Sequence, residues 1–453
     1  MRALFLALLS LCVSFAHADR FDDFIQAKMQ EEKIPGLQFV VVYKGKVAMS
    51  RSYGVADAGK KTPVTKDTRF EIASVSKPFI ATAVMMLWEQ GKVKLEDPVG
   101  KYISDMPLAW SSVPVWNLLS HTSGIPEYRA GLLFATHKLD DTPFSQIVKN
   151  MPTDKQFDAD DHFSYSNTNY LLLGKLIEGV AGKPYTEFLQ KEIFDPLGMT
   201  STGFIGKMDH AQGYAAWRSA FVPDPGSSFS WSGPGGSIVS TAEDLAKFDA
   251  ALRTQRLIKN ATLMRMLEPT STKLGTMDYG FGWQTEKVGK TTMALHAGEM
   301  NGFSSMFLRL IDEQISVILL TNSSAIDGNT ITRGILGLYF PEMDPMKLTP
   351  TVDESPEITR AHQRILVGII AGHPDMDAFS DDYKAHVSEE KLLAVGSELR
   401  RGGRIRPLQV VRRYRKGQYD AHAYLLTQGQ TQLLVTFLVD EKGKIAGLTV
   451  TAP

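Results

Sequence analysis

A serine and a lysine three residues apart, Ser74 and Lys77, have the residue types and the spacing of a nucleophile with its own base. The apolar run at 80–90 contains no Gly or Pro and predicts a buried helix that ends at Gly91. Residues i and i+3 share one face of a helix, so on its first turn the Lys77 amine lies within hydrogen-bond reach of the Ser74 hydroxyl. A serine beside a resident base is a candidate nucleophile.

The predicted helix start also supplies hydrogen-bond donors. Backbone N–H groups at a helix start favour negative charge, so an oxyanion formed at Ser74 would meet donors already in place. A dry, electropositive pocket would disfavour the ammonium form of Lys77 and let the amine accept a proton. These properties suit an attack by Ser74 on a carbonyl group.

A second serine and lysine with the same spacing, Ser388 and Lys391, lie in a charged stretch. Ser388 has the character of a helix cap, and Glu389 and Glu390 would occupy the first turn, where acidic side chains are favoured. We interpret this copy as structural. The functional interpretation of Ser74 therefore depends on residues elsewhere in the chain.

A polar segment at 163–170 precedes an apolar run at 171–177 and contains Tyr165 and Asn167. A polar turn that enters a buried helix holds side chains rigidly at the wall of a cleft. Tyr165 can relay a proton there, and Asn167 can orient an amide or carbonyl group. The alternative is an ordinary helix cap by Asn167 or Thr168.

Two other segments could contribute to such a site. His121 can act as a base, but we interpret it as a structural residue whose ring nitrogens hold the loop at 122–126. The glycine-rich segment Trp231–Val239 can bring its backbone close to a substrate, or it can form a tight turn.

The chain from Tyr279 to Leu320 predicts an antiparallel meander whose first strand includes Phe281–Trp283. His296 and Gly298 share one face of a later strand, because side chains alternate along a strand. Gly298 leaves the backbone accessible, so an extended substrate can pair with this strand edge. The N–H of Glu299 can then complete an oxyanion hole with that of Ser74.

The order of these motifs resembles that of the serine β-lactamase and penicillin-binding superfamily: Ser74-x-x-Lys77, Tyr165-Ser166-Asn167 and His296-Ala297-Gly298. The second motif reads Tyr-Ser-Asn in place of Ser-Asp-Asn, and the stretch Leu119–Gly124 precedes it. Together these two features resemble the class C β-lactamase branch, which includes DD-peptidases, D-amino-acid peptidases and esterases. The resemblance implies that Ser74 is acylated, that Lys77 and Tyr165 share general base and acid duty, and that Asn167 positions the substrate.

The third motif differs from that of true class C β-lactamases, which carry Lys-Thr-Gly, and is more typical of the peptidase and esterase relatives. The permanent charge of a lysine helps to hold the carboxylate of a β-lactam, whereas a histidine is mostly neutral near pH 7. We therefore expect weak β-lactam hydrolysis. We also expect His296 to gain a positive charge as the pH falls through about 6.5.

The resemblance implies a β-lactamase/transpeptidase-like α/β (α+β) fold. We expect strands from both ends of a hydrolase domain at 19–340 to form one antiparallel sheet, flanked by helices and a helical subdomain. A proline- and acid-rich linker at 341–356 would follow. A small α+β domain, cystatin-like and with four strands, would occupy 357–453.

The first 18 residues predict a cleaved signal peptide, because Arg2 precedes an apolar run and a small-residue end at Ala18. The run is too short to span a bilayer, so we expect a periplasmic or secreted mature protein without a transmembrane segment. Cys12 is the only cysteine, so a mature chain would have neither disulfides nor thiolate sites. A net charge of −1 gives no attraction to nucleic acid.

The sequence thus predicts an exported serine hydrolase that needs no cofactor or metal. It would act through an acyl-enzyme on a small-molecule or peptide substrate, such as one derived from the cell wall. D-amino-acid peptides, amides and carboxylic esters are all open as substrates. The alternatives are a class C-like β-lactamase and a weakly acylating penicillin-binding sensor or scaffold.

Overall fold

The computed structural model describes residues 20–128, 147–148, 151–217, 220–288, 291–324, 326–340, 350–416, 419–429 and 431–451. The chain divides into two compact units: the first runs to Tyr339 and the second from Phe340, with the segment Leu274–Met277 grouped with the second. The predicted signal peptide and residues 341–349 of the predicted linker lie outside the described residues.

The strands, in chain order, are β1 Gly36–Tyr43, β2 Lys46–Asp57, β3 Thr62–Pro63, β4 Phe70–Glu71, β5 Gly203–Phe204, β6 Tyr214–Trp217, β7 Ala220–Pro223, β8 Ile238–Ser240, β9 Thr270–Thr272, β10 Gly275–Met277, β11 Gln284–Val288, β12 Thr291–Met300, β13 Phe303–Leu310, β14 Ile315–Thr321, β15 Gln409–Lys416, β16 Tyr419–Gln428, β17 Thr431–Val439 and β18 Ile445–Thr451.

The helices are α1 at 20–31, α2 Lys77–Glu89, α3 Val115–Leu119, α4 Asn167–Ala181, α5 Tyr185–Leu189, α6 Asp195–Leu197, α7 Phe229–Ser232, α8 Ala242–Arg253, α9 Asn260–Met266, α10 Gly328–Tyr339, α11 Pro356–Ala371, α12 Asp381–His386 and α13 Glu389–Arg401. A π-helical segment, Gln190–Phe194, joins α5 to α6, and 3-10 turns lie at Ala73–Ser76, Val99–Lys101, Leu108–Trp110 and Met376–Ala378.

A seven-stranded sheet in the order β11-β12-β13-β14-β1-β2-β3 forms the centre of the first unit. Its strands come from both ends of the unit, and β1 pairs antiparallel with β14, with Leu37 opposite Thr321. The hairpin of β1 and β2 turns at Lys44 and Gly45, which both have positive φ, as a tight hairpin turn requires. The predicted joining of both ends in one antiparallel sheet is confirmed.

The helix α2 is buried almost all round, as its uniformly apolar sequence predicts. It packs against α4 and α5, and its Phe79 ring stacks on Phe248 of α8 with the centroids 3.9 Å apart. Gly91, just after the helix, has φ +70°, a conformation that glycine adopts without strain. The helix that begins at Lys77 is therefore packed within the core of the first unit.

The short strand β4 leads the chain into this helix. It pairs with β8, with Glu71 opposite Val239, and the 3-10 turn Ala73–Ser76 follows it. The expectation that Ser74 lies on the first turn of α2 itself is therefore corrected: Ser74 lies in a tighter turn just before the helix. The effect is small because the two helical segments are continuous.

One predicted strand is wrong. Phe281–Trp283 is not a strand, and β11 begins only at Gln284. Gly282 has φ +78°, and a Cβ built on it would lie 2.8 Å from the Ala81 side chain, so the chain bends closely past α2 at this glycine. The apolar pattern alone did not reveal this bend.

The second unit contains an antiparallel sheet in the order β15-β16-β17-β18, with α11 packed against α13. These elements surround a separate apolar core, to which Leu366, Tyr424 and Phe437 contribute. Ser388 caps α13, where its side chain accepts a hydrogen bond from the Lys391 N–H at 3.4 Å, which confirms the structural interpretation of this second serine and lysine.

Across the described residues, helices of sufficient length and apolarity to cross a membrane are absent.

Candidate active site

Ser74 lies half-buried in the 3-10 turn between β4 and α2. The residue before it, Ala73, has φ +47°, a left-handed conformation that residues with a side chain seldom adopt. Such strain persists only where the surrounding structure enforces it, and it is frequent at functional sites. Ile72, the residue before Ala73, is held in place because its carbonyl oxygen accepts a hydrogen bond from Ser305 Oγ at 2.7 Å.

Lys77 has 0% of its side chain exposed and points its amine at Ser74. Its Nζ lies 3.0 Å from Ser74 Oγ, 2.8 Å from Asn167 Oδ1 and 3.2 Å from the Gly235 carbonyl oxygen. The amide and carbonyl oxygens only accept hydrogen bonds, whereas a serine hydroxyl can also donate. A neutral Lys77 amine can therefore donate to the two oxygens and accept the Ser74 proton.

A side chain at Gly235 would crowd Lys77. A Cβ at Gly235 would lie 3.2 Å from Lys77 Nζ and 3.0 Å from the Tyr170 Cβ. The glycine-rich segment therefore packs against the Lys77 amine, in addition to any contact that it makes with a substrate. Sequence analysis noted this segment but did not connect it with Lys77.

Asn167 is the first residue of α4, and a carboxylate fixes its orientation. Glu127 Oε2 accepts hydrogen bonds from the Asn167 backbone N–H and from Asn167 Nδ2, the latter at 3.1 Å. Because a carboxylate oxygen accepts from the NH2 group, Asn167 Oδ1 is turned toward Lys77. Glu127 was not predicted as a site residue, and its only signal in the sequence is its place three residues after the Leu119–Gly124 stretch.

Tyr165 is 37% exposed, and Lys77 Nζ lies 4.9 Å from the centroid of its ring. The segment that carries it is held by His121: the Ser164 N–H donates to the His121 carbonyl at 2.9 Å, and the Ser166 N–H donates to His121 Nδ1 at 3.2 Å. The Tyr165 ring packs on the imidazole with centroids 4.3 Å apart. The structure thus brings Tyr165 to Lys77.

His121 is structural, as expected, but its ring holds the Tyr165 segment rather than the loop at 122–126. Burial, and after it the nearby charge of Lys77, lowers the pKa of His121 well below its ordinary value. Its Nδ1 accepts from Ser166, so the neutral ring carries its proton on Nε2. A neutral, buried ring of this kind positions Tyr165 and is not a base for Ser74.

His296 does not titrate as the sequence analysis expected. Only 4% of its side chain is exposed, its Nδ1 donates to the Ala297 carbonyl at 2.7 Å, and its Nε2 lies 3.1 Å from the Tyr279 hydroxyl, which donates to it. Burial, and after it the charge of Lys77, lowers the pKa of His296 to about 3. The expected midpoint near 6.5 is therefore wrong, and the ring is neutral at physiological pH.

Gly298 packs directly on the turn that carries Ser74. A Cβ built on Gly298 would lie 2.4 Å from the Ile72 carbonyl oxygen and 3.1 Å from the Ser74 backbone nitrogen, so any side chain here would push the turn away. The pairing of β11 with β12 extends along β12 only to Leu295. Ala297 and Glu299, beyond that point, are exposed at the strand end that lies next to Ser74.

A sequence model of the family described as Beta-lactamase matches residues 21–336. Penicillin-binding protein 4* of Bacillus subtilis (strain 168) is 32% identical over 301 residues, which cover 61% of this chain and 66% of that protein. The chain therefore spans a little less than two thirds of the length of this relative.

Solved structures of other proteins resemble the chain, two of them as follows. The octameric penicillin-binding protein homologue from Pyrococcus abyssi has a TM-score of 0.66 and 22% identity, and the match covers 96% of this chain and 98% of that one. The D-amino acid amidase from Ochrobactrum anthropi SV3, solved with D-phenylalanine, has a TM-score of 0.59 and 25% identity over 71% of this chain and 97% of that one. The first likeness confirms the predicted fold class.

Proposed function

Because the chain belongs to the Beta-lactamase family of serine hydrolases, we propose that it cleaves an amide, peptide or ester bond through an acyl-enzyme on Ser74. One observation carries the proposal: the buried Lys77 amine lies 3.0 Å from Ser74 Oγ and has acceptors for its own hydrogens in Asn167 Oδ1 and the Gly235 carbonyl. This arrangement suits a base that takes the hydroxyl proton at the moment of attack.

In the acylation step, Ser74 Oγ bonds to the substrate carbonyl carbon and gives its proton to Lys77. The bond from that carbon to the leaving nitrogen or oxygen then breaks, and the leaving group receives a proton from Lys77 or Tyr165. Water next attacks the ester carbon and loses a proton to the same pair; the bond from that carbon to Ser74 Oγ then breaks, Oγ takes back a proton from the pair, and the acid is released.

The negative charge on the carbonyl oxygen would be held by backbone donors. We assign this role to the N–H groups of Ser74 and Glu299, because Gly298 brings β12 against the turn of Ser74. An extended substrate would lie along the end of β12, where β11 no longer pairs. Asn167, fixed by Glu127, would meet the amide of the substrate beside Lys77.

The substrate class follows from the charges at the site. A neutral His296 gives the third motif no fixed positive charge for the carboxylate of a β-lactam. We therefore propose D-aminoacyl amides, D-amino-acid peptides or simple esters as substrates, and the likeness to a D-amino acid amidase supports this choice. We also propose that the protein is exported, on the basis of the signal-peptide pattern at Met1–Ala18.

A matched substrate panel tests this function. We expect the purified protein to hydrolyse a p-nitrophenyl ester and D-phenylalanine amide, and to hydrolyse the L-amide and nitrocefin more slowly. Ser74→Ala should lose all four activities, whereas Ser388→Ala should keep them. A stable adduct without turnover would instead identify a sensor, and equal loss of activity in both variants would contradict the assignment of Ser74.

A further inference from the structure

The first unit contains a cavity of about 1400 Å³ that the proposed chemistry does not use. Segments at 56–71, 205–213 and 224–229 contribute to its wall, together with Phe303, and neither Ser74, Lys77 nor Tyr165 lines it. Its volume exceeds that of a typical small-molecule site, so a ligand of ordinary size fits inside.

Glu71 of β4 lies in the wall of this cavity with only 1% of its side chain exposed. Its Oε1 is 3.4 Å from His210 Nε2, and its Oε2 is buried without a hydrogen-bond partner. A buried acceptor without a partner is destabilising and requires an explanation. The last torsion of a glutamate is soft, so rotation can turn either oxygen toward a donor inside the cavity.

His210 does not supply a positive charge to Glu71. Its Nδ1 donates to the Ala211 carbonyl at 2.8 Å, which leaves Nε2 as an acceptor on the side of Glu71. Burial lowers the pKa of His210. Burial thus favours the neutral imidazole, whose Nε2 can accept a hydrogen bond from the protonated Glu71 carboxyl.

Asp224 adds a second carboxylate to the same wall. Burial, and after it the charge of Asp224, raises the pKa of Glu71 to about 8. Arg69 and Lys207 also line the cavity but do not lower this pKa. The other acidic groups of the wall either pair with a lysine, as Asp57 and Asp67 do at 3.1 and 2.9 Å, or lie exposed, as Asp209 does.

We propose that this cavity binds an organic cation with N–H donors, such as an alkylguanidinium or alkylammonium ion, on the carboxylates of Glu71 and Asp224. Phe229 and Phe303, which also line the cavity, offer faces for the apolar part and for cation–π contact. The described residues hold no group of three or more acidic, His or Cys side chains that could ligate a metal, which favours an organic cation over a metal ion.

Titration of butylguanidinium chloride into full-length Ser74→Ala protein tests the site, since this probe stays charged at every pH used. Glu71 must lose its proton to hold the cation. Affinity should therefore rise by up to about tenfold per pH unit from pH 6 to pH 8 and level off above the pKa of Glu71. Calorimetry in buffers of different ionisation enthalpy should show about one proton released per cation at pH 6.

Two variants and a control complete the experiment. Glu71→Gln imitates the protonated carboxyl and should still fold, but it should weaken binding at pH 9 at least about tenfold, as should Asp224→Asn. Asp67→Asn removes an exposed charge from the same cavity and should leave Kd within about twofold. Absence of saturable binding up to about 10 mM, equal affinity in all variants, or binding of Ca2+ or Zn2+ in place of the guanidinium would overturn the proposal.

Discussion

At the scale of the residue, the candidate chemistry depends on how Lys77 is surrounded. Its amine is removed from water and placed between one hydroxyl and two oxygens that only accept. The amine therefore lies where it can take the proton of Ser74 Oγ directly. Tyr165, whose ring lies 4.9 Å from Lys77 Nζ, is the second group that can move a proton there.

Lys77→Ala and Tyr165→Phe should each lower kcat for an ester by about 100-fold or more, because proton transfer by a positioned group contributes roughly 10²–10⁴-fold. Steady-state kinetics of the purified variants, with circular dichroism as the test of folding, measures this. A folded Lys77→Ala protein with unchanged kcat would remove Lys77 from the mechanism.

The neutral state of His296 gives a second prediction at this scale. Since burial lowers its pKa to about 3, His296 carries no charge between pH 5 and pH 8. The ratio of KM for a carboxylate-bearing substrate to KM for its neutral ester should therefore stay constant over that range. A ratio that rises by several-fold as the pH passes about 6.5 would show that His296 titrates at its ordinary value.

Ser74 and Lys77 were predictable from the sequence because their relation is local: three residues on a helical turn fix their distance. The state of His296 was not predictable, because the Tyr279 hydroxyl that meets its ring is 17 residues away in the chain and its burial is set by tertiary packing. Glu127 escaped notice for the same reason, since its contact with Asn167 spans 40 residues.

At the scale of the element, the site lies where three segments meet: the turn before α2, the start of α4 and the end of β12. The first two are fixed by hydrogen bonds, and the third by the close approach of Gly298 to Ser74. Alternation along β12 predicted correctly that His296 and Gly298 share a face. The bend at Gly282 was not predicted, because an apolar pattern does not encode a left-handed φ.

Glu127 acts through the start of α4, so we expect it to be a positioning residue. Glu127→Ala should lower kcat about fivefold with little change in KM, since loss of a hydrogen bond that orients Asn167 is worth about 1 kcal/mol. Glu127→Gln should recover most of the rate, because its amide oxygen can still accept from the Asn167 N–H. Steady-state kinetics of both variants with one ester test this prediction. Equal losses of kcat in the two variants would mean that the negative charge of Glu127 is required, rather than its ability to accept a hydrogen bond.

At the scale of the whole molecule, the chain divides into two units, each with a core of its own. The residues proposed for catalysis all belong to the first unit. The four strands predicted for the second unit are present, because each is bounded by glycine or polar turns.

A protein that ends at Pro345 should therefore stay folded and keep ester hydrolysis at a rate within a few-fold of the full chain. The measurement is kcat/KM of the shortened and full-length proteins under the same conditions. A shortened protein that is soluble and folded but inactive would mean that the second unit completes or braces the site.

The most direct test of the proposed chemistry is covalent labelling by a fluorophosphonate probe, read by intact mass and peptide mapping. The wild type and Ser388→Ala should each gain a single adduct, on the peptide that contains Ser74, and Ser74→Ala should gain none. Labelling of Ser74→Ala to the same extent as the wild type, or an adduct mapped to another serine, would contradict the assignment of Ser74 as the nucleophile.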